Sequence, residues 1–359
     1  MTNPHTQPPS PAWMIYGANG YTGELIAREA VKRGLKPVLA GRSHHKVEAL
    51  ASELGLKALG FPLDNVDEVA RQINGCALVL NCAGPFSATA EPMMKACLHA
   101  GAHYLDITGE IAVFELAQSL NEEARNANTV LCPGVGFDVI PTDCVAAALK
   151  AALPDATHLA LGFDSRSGFS PGTAKTSVEG LVQGGKIRRD GKIETVPLAY
   201  QVRRIDFGDG AKDAMTIPWG DVSTAYHSTG IPNIEVFIPG SPRMITGAKR
   251  ANYIRPLLGL GFVQKLIKSR IAKTVKGPSE AARAEMPTFV WGEATNDSGQ
   301  KKTARIRTAN GYSLTITGSL AVVEHLMNNQ PTGGVYTPSR LVGADLVTQL
   351  PESGVLSIS

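Results

Sequence analysis

The chain lacks the features that would place it in a specialised class at once. Its five cysteines, Cys76, Cys82, Cys97, Cys132 and Cys144, contain no C-x-x-C pair, and all sit in or beside apolar segments. An odd count of that kind reads as buried free thiols in a reducing compartment, not as a disulfide framework. No Cys/His pair has the spacing of a zinc site, so the expectation is a cytoplasmic protein with no metal. Charge of one sign is missing too. Against 35 Lys and Arg stand 32 Asp and Glu, a net +3 that is too small to argue for a nucleic-acid partner. No run approaches the roughly 20 uninterrupted apolar residues that span a bilayer. The opening "MTNPHTQPPSPA" is polar and proline-rich, with neither a basic region nor an apolar core, and is expected to be a disordered lead-in over residues 1–12.

What is present is an ordinary globular composition, 43% apolar and 19% charged over 359 residues, enough chain for two domains. From Trp13 onward, short apolar runs alternate with helix-like stretches. The runs are Trp13–Tyr16, Pro37–Ala40, Lys57–Phe61, Ala77–Asn81, Tyr104–Ile107 and Thr129–Leu131. Between them lie segments such as "ELIAREAVKRG", "HKVEALASELG" and "VFELAQSLNEEARNAN". Strand–helix alternation at this spacing implies right-handed crossovers and a doubly wound parallel sheet, a Rossmann-type α/β domain over residues 13–150.

Beyond "CVAAALKAAL" the texture changes. "THLALGFDS", "KIETVPLAYQVRRIDFG" and "IEVFIP" read as strands, "RPLLGLGFVQKLIKSRIAK" reads as helix, and "FVWGEATNDSGQKKTARIRTANGYSLTITG" reads as a hairpin. Turn-rich β structure without alternation predicts an α+β domain with a mixed sheet over residues 151–318. "SLAVVEHLM" and "SRLVGADLVTQL", within residues 319–359, read as helices packing back on the first domain.

Gly17, Gly20 and Gly23 form G-x-x-G-x-x-G between the first predicted strand and the first predicted helix. The chain must turn off the strand, bring backbone N–H groups to a pyrophosphate and let the helix approach the sheet. Asn19, Tyr21 and Thr22 lie in the same loop. The bland alternative is a structural turn; position in the first βα turn favours the nucleotide. An NAD site would carry an acid at the tip of the second strand, whereas "PVLAGRS" offers Arg42 and Ser43. A guanidinium there suits a 2′-phosphate, so NADP is the expected cofactor.

The remaining strand ends supply Asn81, Ala83, Gly84 and Pro85 from "NCAGPF", expected beside the nicotinamide ribose and ring. They also supply Asp106 and Glu110 from "HYLDITGE" and Asp138 from "GFDVIPTD". These three acids are the candidates for acid–base work. Also open are loop-holding roles for Asp106 and Glu110, a capping role for Thr108, and a plain domain-crossing loop around Asp138. Cys82 reads as a buried strand-end residue. None of the eight tyrosines opens a Y-x-x-x-K, so the Tyr/Lys proton relay of short-chain dehydrogenases is absent.

On these segments, with "YGANGYTGELIA", "LAGRS", "PGTAKTSVEG" and "GGVYTPSRLVGADLV", the chain resembles the saccharopine dehydrogenase-like oxidoreductases. Within them it is most similar to the branch holding trans-acting enoyl reductases. The resemblance covers nearly the whole chain. It implies an NADP-binding Rossmann domain, a mixed α+β domain that forms a homodimer, and C-terminal helices returning to the first domain. It transfers no catalytic residue.

The substrate divides the readings. A small polycarboxylate such as saccharopine calls for converging arginines, for which Arg166, Arg203 and Arg204 are available, although the last two also suit a strand with solvated charges. A free or carrier-bound acyl substrate calls for an apolar channel. Within residues 253–273, Phe262, Val263, Leu266 and Ile267 share a helical face opposite Lys265 and Lys268. That pattern fits a peripheral contact with an anionic membrane or carrier, and equally a core helix with a solvated lysine face. Lys175 at a predicted helix start is a further candidate for an anionic substrate group. The missing proton relay also leaves room for a non-catalytic NADP sensor.

Overall fold

The apolar runs of the first half become the strands of one parallel sheet. The computed structural model describes residues 12–165, 182–258, 260–261, 263–264, 269–270 and 286–359. The strands are β1 (Ala12–Tyr16), β2 (Val38–Gly41), β3 (Ala58–Gly60), β4 (Cys76–Asn81), β5 (His103–Asp106) and β6 (Val130–Cys132). Each begins and ends within one residue of its apolar run, and Met14, Ile15, Leu78, Val79 and Leu80 have no exposed surface. Strands apolar on both faces need helices on both faces, which is why they pair in parallel. Those helices are α1 (Tyr21–Lys32), α2 (His44–Leu54), α3 (Val66–Gln72), α4 (Phe86–Ala100), α5 (Ile111–Ser119) and α6 (Asn121–Asn126).

The spatial order runs β3-β2-β1-β4-β5-β6, so the winding reverses between β1 and β4. A reversal of this kind opens a crevice beyond the carboxyl ends of those two strands. α7 (Ile140–Ala152), with Pro141 in its first turn, then carries the chain across to a second sheet.

That sheet contains β7 (His158–Ser165), β8 (Gly185–Arg189), β9 (Lys192–Val196), β10 (Val202–Asp206), β11 (Ala211–Thr216), β12 (Asn233–Pro239), β13 (Thr288–Thr295) and β14 (Lys301–Thr308). Its order is β10-β11-β12-β7-β13-β14, with β8 pairing both β12 and β9. β12 and β7 are parallel and the other pairs antiparallel, so the sheet is mixed. α8 (Asp221–Thr229) and α9 (Pro242–Leu258) accompany it. Leu159, Leu161, Phe163 and Val290 on one face meet Val145 and Leu149 of α7, in a core continuous with Ile15 and Leu80 of the first sheet. Full burial of such side chains stabilises by roughly 1.5–3 kcal/mol each, which makes α7 the main joint between the two layers.

One segment differs from its sequence reading. The hairpin pattern extends through Gly318, but β14 ends at Thr308 and α10 (Gly311–Asn328) begins three residues later. Asn310 caps it, its side chain accepting the Tyr312 N–H at 3.0 Å. The Thr- and Ile-containing run looks strand-like locally, yet Leu314, Gly318 and Val322 recur at helical spacing and are buried. Tertiary burial outweighs that weak local preference. α10 lies against α1 of the first domain. The chain then adds β15 (Gly334–Val335) as a seventh strand beside β6, and α11 (Pro338–Leu341) and α12 (Leu346–Gln349) rest on α7. Its last strand, β16 (Ser357–Ile358), pairs with β14 of the second sheet.

All five cysteines are free thiols. Among the described residues no helix is long and apolar enough to cross a membrane, and no cluster of three or more His, Cys, Asp or Glu could hold a metal. The lead-in (residues 1–11), Arg166, Lys175, Phe262 and the Lys265–Lys268 stretch lie outside the described residues.

Candidate cofactor and active site

The turn after β1 is made almost entirely of backbone. Gly17 adopts φ +82°, and a Cβ there would stand 2.7 Å from the Ala83 nitrogen at the end of β4. A Cβ on Gly23 would overlap the Gly17 carbonyl oxygen. Both positions therefore require glycine, one for the β1–β4 approach and one for seating α1 against the turn. The N–H groups of Gly17 and Ala18 donate to the Ala40 oxygen, at 2.7 and 3.1 Å, which ties the loop to β2. Gly20 is the N-cap of α1, and no side chain caps that end. Asn19 and Gly20 are exposed, with Tyr21 and Thr22 half-buried beside them. The first-turn amides are thus left without a side-chain acceptor, the arrangement that receives a pyrophosphate.

At the tip of β2 stand Arg42 and Ser43, both exposed. Ser43 occupies the N-cap of α2 but its hydroxyl caps nothing. No described carboxylate pairs with Arg42, and no acid occupies the strand tip. The exposed His44, His45 and Lys46 follow at once, residues that the sequence reading passed over. A helix start that no side chain caps at one strand end, and a guanidinium that no described carboxylate pairs at the next, fit the pyrophosphate and 2′-phosphate of NADP.

Asn81 takes a different part from the one its position suggested. Its side chain is fully buried; Oδ1 accepts the Ala83 N–H at 3.0 Å, and Nδ2 donates to the Thr89 hydroxyl at 3.2 Å. It shapes the turn, while Gly84 and Pro85 form the exposed rim expected to face the cofactor. Burial pushes the Cys82 thiol far up, with Asp106 adding to the shift, so it is no nucleophile at neutral pH.

The three candidate acids separate clearly. Asp106 is fully buried: Oδ2 accepts the Tyr104 hydroxyl at 2.7 Å, and Oδ1 accepts the N–H groups of Thr108 and Gly134 at 3.0 and 2.8 Å. Burial pushes it up to about 6 despite those hydrogen bonds. Its oxygens bracket the ends of β5 and β6. Glu110 accepts the Phe86 and Ser87 N–H groups at 2.9 and 2.8 Å, capping α4. Both hold backbone, the loop-holding role that the sequence left open beside acid–base work. Thr108 likewise accepts the Glu110 N–H at 3.0 Å.

Asp138 is built otherwise. No described residue donates to its carboxylate, and burial alone pushes it up to about 7. It is half-buried and faces the strand-end loop after β5; a Cβ on Gly109 would stand 2.7 Å from its Oδ2. Its backbone oxygen accepts the Trp219 indole N–H at 3.0 Å. Trp219, Phe163 and Phe137 meet in series, tilted and then edge-to-face, with ring centroids 4.9 and 5.3 Å apart. This aromatic wall comes from three distant segments, and no local sequence signal joins them. The nearby Asp221 and Asp143 are fully buried; burial raises both, and Asp221 is raised further by the two neighbouring acids.

Of the arginines expected for a polycarboxylate, the two described ones, Arg203 and Arg204, do not converge. Arg203 lies on the face of the second sheet opposite α7, paired with Glu293 at 2.7 Å and set over the Phe237 and Trp291 rings. Arg204 points the other way along β10, largely exposed, 3.7 Å from Asp213.

Comparison with known proteins agrees with this geometry. Residues 13–132 match the family model of the saccharopine dehydrogenase NADP binding domain. The saccharopine dehydrogenase-like oxidoreductase of Homo sapiens is 32% identical over 154 residues, 36% of this chain and 35% of that protein. A Mycobacterium tuberculosis protein named as a trans-acting enoyl reductase is 29% identical over 184 residues, 47% of this chain and 43% of that one. The matches thus span less than half the length of these curated relatives. In three dimensions, apo saccharopine dehydrogenase (L-Glu forming) from Saccharomyces cerevisiae superposes with a TM-score of 0.65 at 10% identity, covering 97% of this chain and 99% of that one. That likeness shows a shared two-domain fold. Residues 13–132 are thus similar to the NADP binding domain of the saccharopine dehydrogenases, and the two-domain fold is shared with that enzyme.

Proposed function

We propose that the protein is an NADP-dependent oxidoreductase acting on an acyl or lipid-like substrate, with Asp138 as the proton donor. The observation that carries this reading is the Asp138 carboxyl, unpartnered among the described residues, raised to about 7 and flanked by the Phe137–Phe163–Trp219 wall. The Gly17–Gly23 loop, Arg42 and Ser43 would hold the dinucleotide, and Ala83, Gly84 and Pro85 would border its nicotinamide end. Bound NADPH supplies a hydride. Reducing a conjugated C=C bond also needs one proton at the other carbon. A carboxyl held near neutrality can deliver that proton and recover it from water. Asp106, Glu110 and Asn81 keep the surrounding turns in place.

An apolar wall favours an acyl chain over a small polycarboxylate, since Arg203 and Arg204 pair elsewhere on the second sheet. The name of the mycobacterial relative, an enoyl reductase acting in trans, supports the same reading and adds a carrier-bound substrate. The test is NADPH oxidation with trans-2-enoyl thioesters of increasing chain length, set against an amino acid paired with a 2-oxo acid. Turnover that improves with chain length is expected. The donor must be protonated, so the reduction rate should fall as pH rises through about 7, and Asp138→Asn should remove both rate and pH dependence. Turnover only with the amino-acid pair would replace this reading by a small-molecule dehydrogenase. NADPH binding with neither reaction would make the protein a sensor.

A further inference from the structure

The chain's charge is unevenly distributed. Between Val236 and Ser279 lie nine lysines and arginines and no aspartate or glutamate. Elsewhere 26 basic residues face 32 acidic ones, a net charge of −6. α9 opens this segment, and its orientation is fixed by packing. Ile245 is buried with Ala199 and Met215, and Ala248 packs against the same cluster. Asn252 grips the Leu198 backbone, accepting its N–H at 2.8 Å and donating to its oxygen at 3.1 Å. The opposite face, by helical spacing, carries Arg243, Arg250, Tyr253 and Ile254. Both arginines are exposed, as is Lys249 at the flank, and no described carboxylate lies within ion-pair distance of any of the three. Tyr253 is 88% exposed and Ile254 50%, among the most exposed large apolar side chains described.

We infer that this outward face of α9 docks on an anionic membrane surface. A solvated helix face usually mixes both signs and keeps large apolar groups apart; this one offers a single sign with a tyrosine and an isoleucine among the cations. The cations match an anionic headgroup layer, and the tyrosine and isoleucine match the boundary between headgroups and acyl chains, where such side chains gain by leaving water. A nucleic acid would use the arginines but has no comparable use for Ile254, and a run of single-sign charge over residues 236–279 suits an extended anionic membrane surface better than one acidic protein patch. The inference stands on α9 alone and is independent of the reading of the cleft.

The test uses the full chain in flotation with phosphatidylcholine vesicles, with and without about 30% phosphatidylglycerol, at low salt. Binding to the anionic vesicles alone is expected, and its loss when the screening length shrinks to a few ångströms near 1 M salt. Each surface cation contributes about five-fold, so Arg243→Glu with Arg250→Glu should weaken vesicle binding by on the order of 25-fold or more. Tyr253→Ser with Ile254→Ser should also weaken it, by a smaller factor. These side chains are exposed, so NADPH binding in both variants should match the wild type, which confirms intact protein. Failure of the wild type to float with anionic vesicles would overturn the inference. So would vesicle binding untouched by both variants. Retention of polyuridylate that competes with the vesicles and ignores the Tyr253/Ile254 change would assign the face to polyanions instead.

Discussion

The turns after β1 and after β5 sit on the same edge of the parallel sheet, and they are built in opposite ways. The first has almost no side-chain chemistry: glycines at 17, 20 and 23, and a helix start that no side chain caps. The second is rich in it, yet Asp106, Thr108 and Glu110 are all committed to neighbouring backbone. Function at this edge is marked by what the fold leaves unsatisfied. Polar groups that look catalytic in the sequence are the ones the fold has already used, because a strand end buried beside another domain must find partners for its own N–H groups.

Substitutions can sharpen or break that contrast. Gly23→Val should have the largest effect on the ligand, since its side chain would collide with the Gly17 carbonyl and open the loop. NADPH affinity should fall at least about 100-fold, or ~2.7 kcal/mol, by fluorescence titration; affinity within a few-fold of wild type would mean that the loop does not hold the pyrophosphate. In the other turn, Asp106→Ala leaves two buried N–H groups and a buried hydroxyl without their acceptor. Urea unfolding should show a loss of about 3 kcal/mol or more, and the protein that remains folded should bind NADPH normally. Full stability with lost turnover would restore Asp106 as a chemical group.

Smaller effects follow at the rims. Removing the guanidinium in Arg42→Ala should weaken NADPH by about 10–30-fold, the worth of a charged hydrogen bond, and leave NADH nearly unchanged. Equal losses for both dinucleotides would separate Arg42 from the 2′-phosphate. Least of all, Glu110→Ala removes a helix cap and should lower stability by about 1 kcal/mol. Its kcat should stay within a factor of about two, measured beside Asp138→Asn, because a capping carboxylate takes no part in the barrier.

The legibility of these features follows from their range. β1 to β6 were readable to within one residue because strands apolar on both faces leave continuous runs, bounded by turn residues. The start of α10 was not, because "TANGYSLTITG" carries strand-like residues, and only the burial of Leu314, Gly318 and Val322 makes it a helix. The glycine loop was legible since its chemistry is local. The wall beside Asp138 was not, since Phe137, Phe163 and Trp219 meet only through folding. Arg203 illustrates the converse: a promising residue in the sequence, it lies on the sheet face away from α7 because side chains alternate along a strand.

The sequence by itself determined the alternating parallel sheet, the glycine turn and the absence of an acid at the tip of β2, and with them an NADP-binding domain. Those features depend on residues a few positions apart, where backbone geometry leaves little choice. Tertiary structure alone decided which carboxylate stays free. Hydrogen-bond partners for Asp106 and Glu110 arrive from Gly134, Phe86 and Ser87, many residues away, and none among the described residues reaches Asp138.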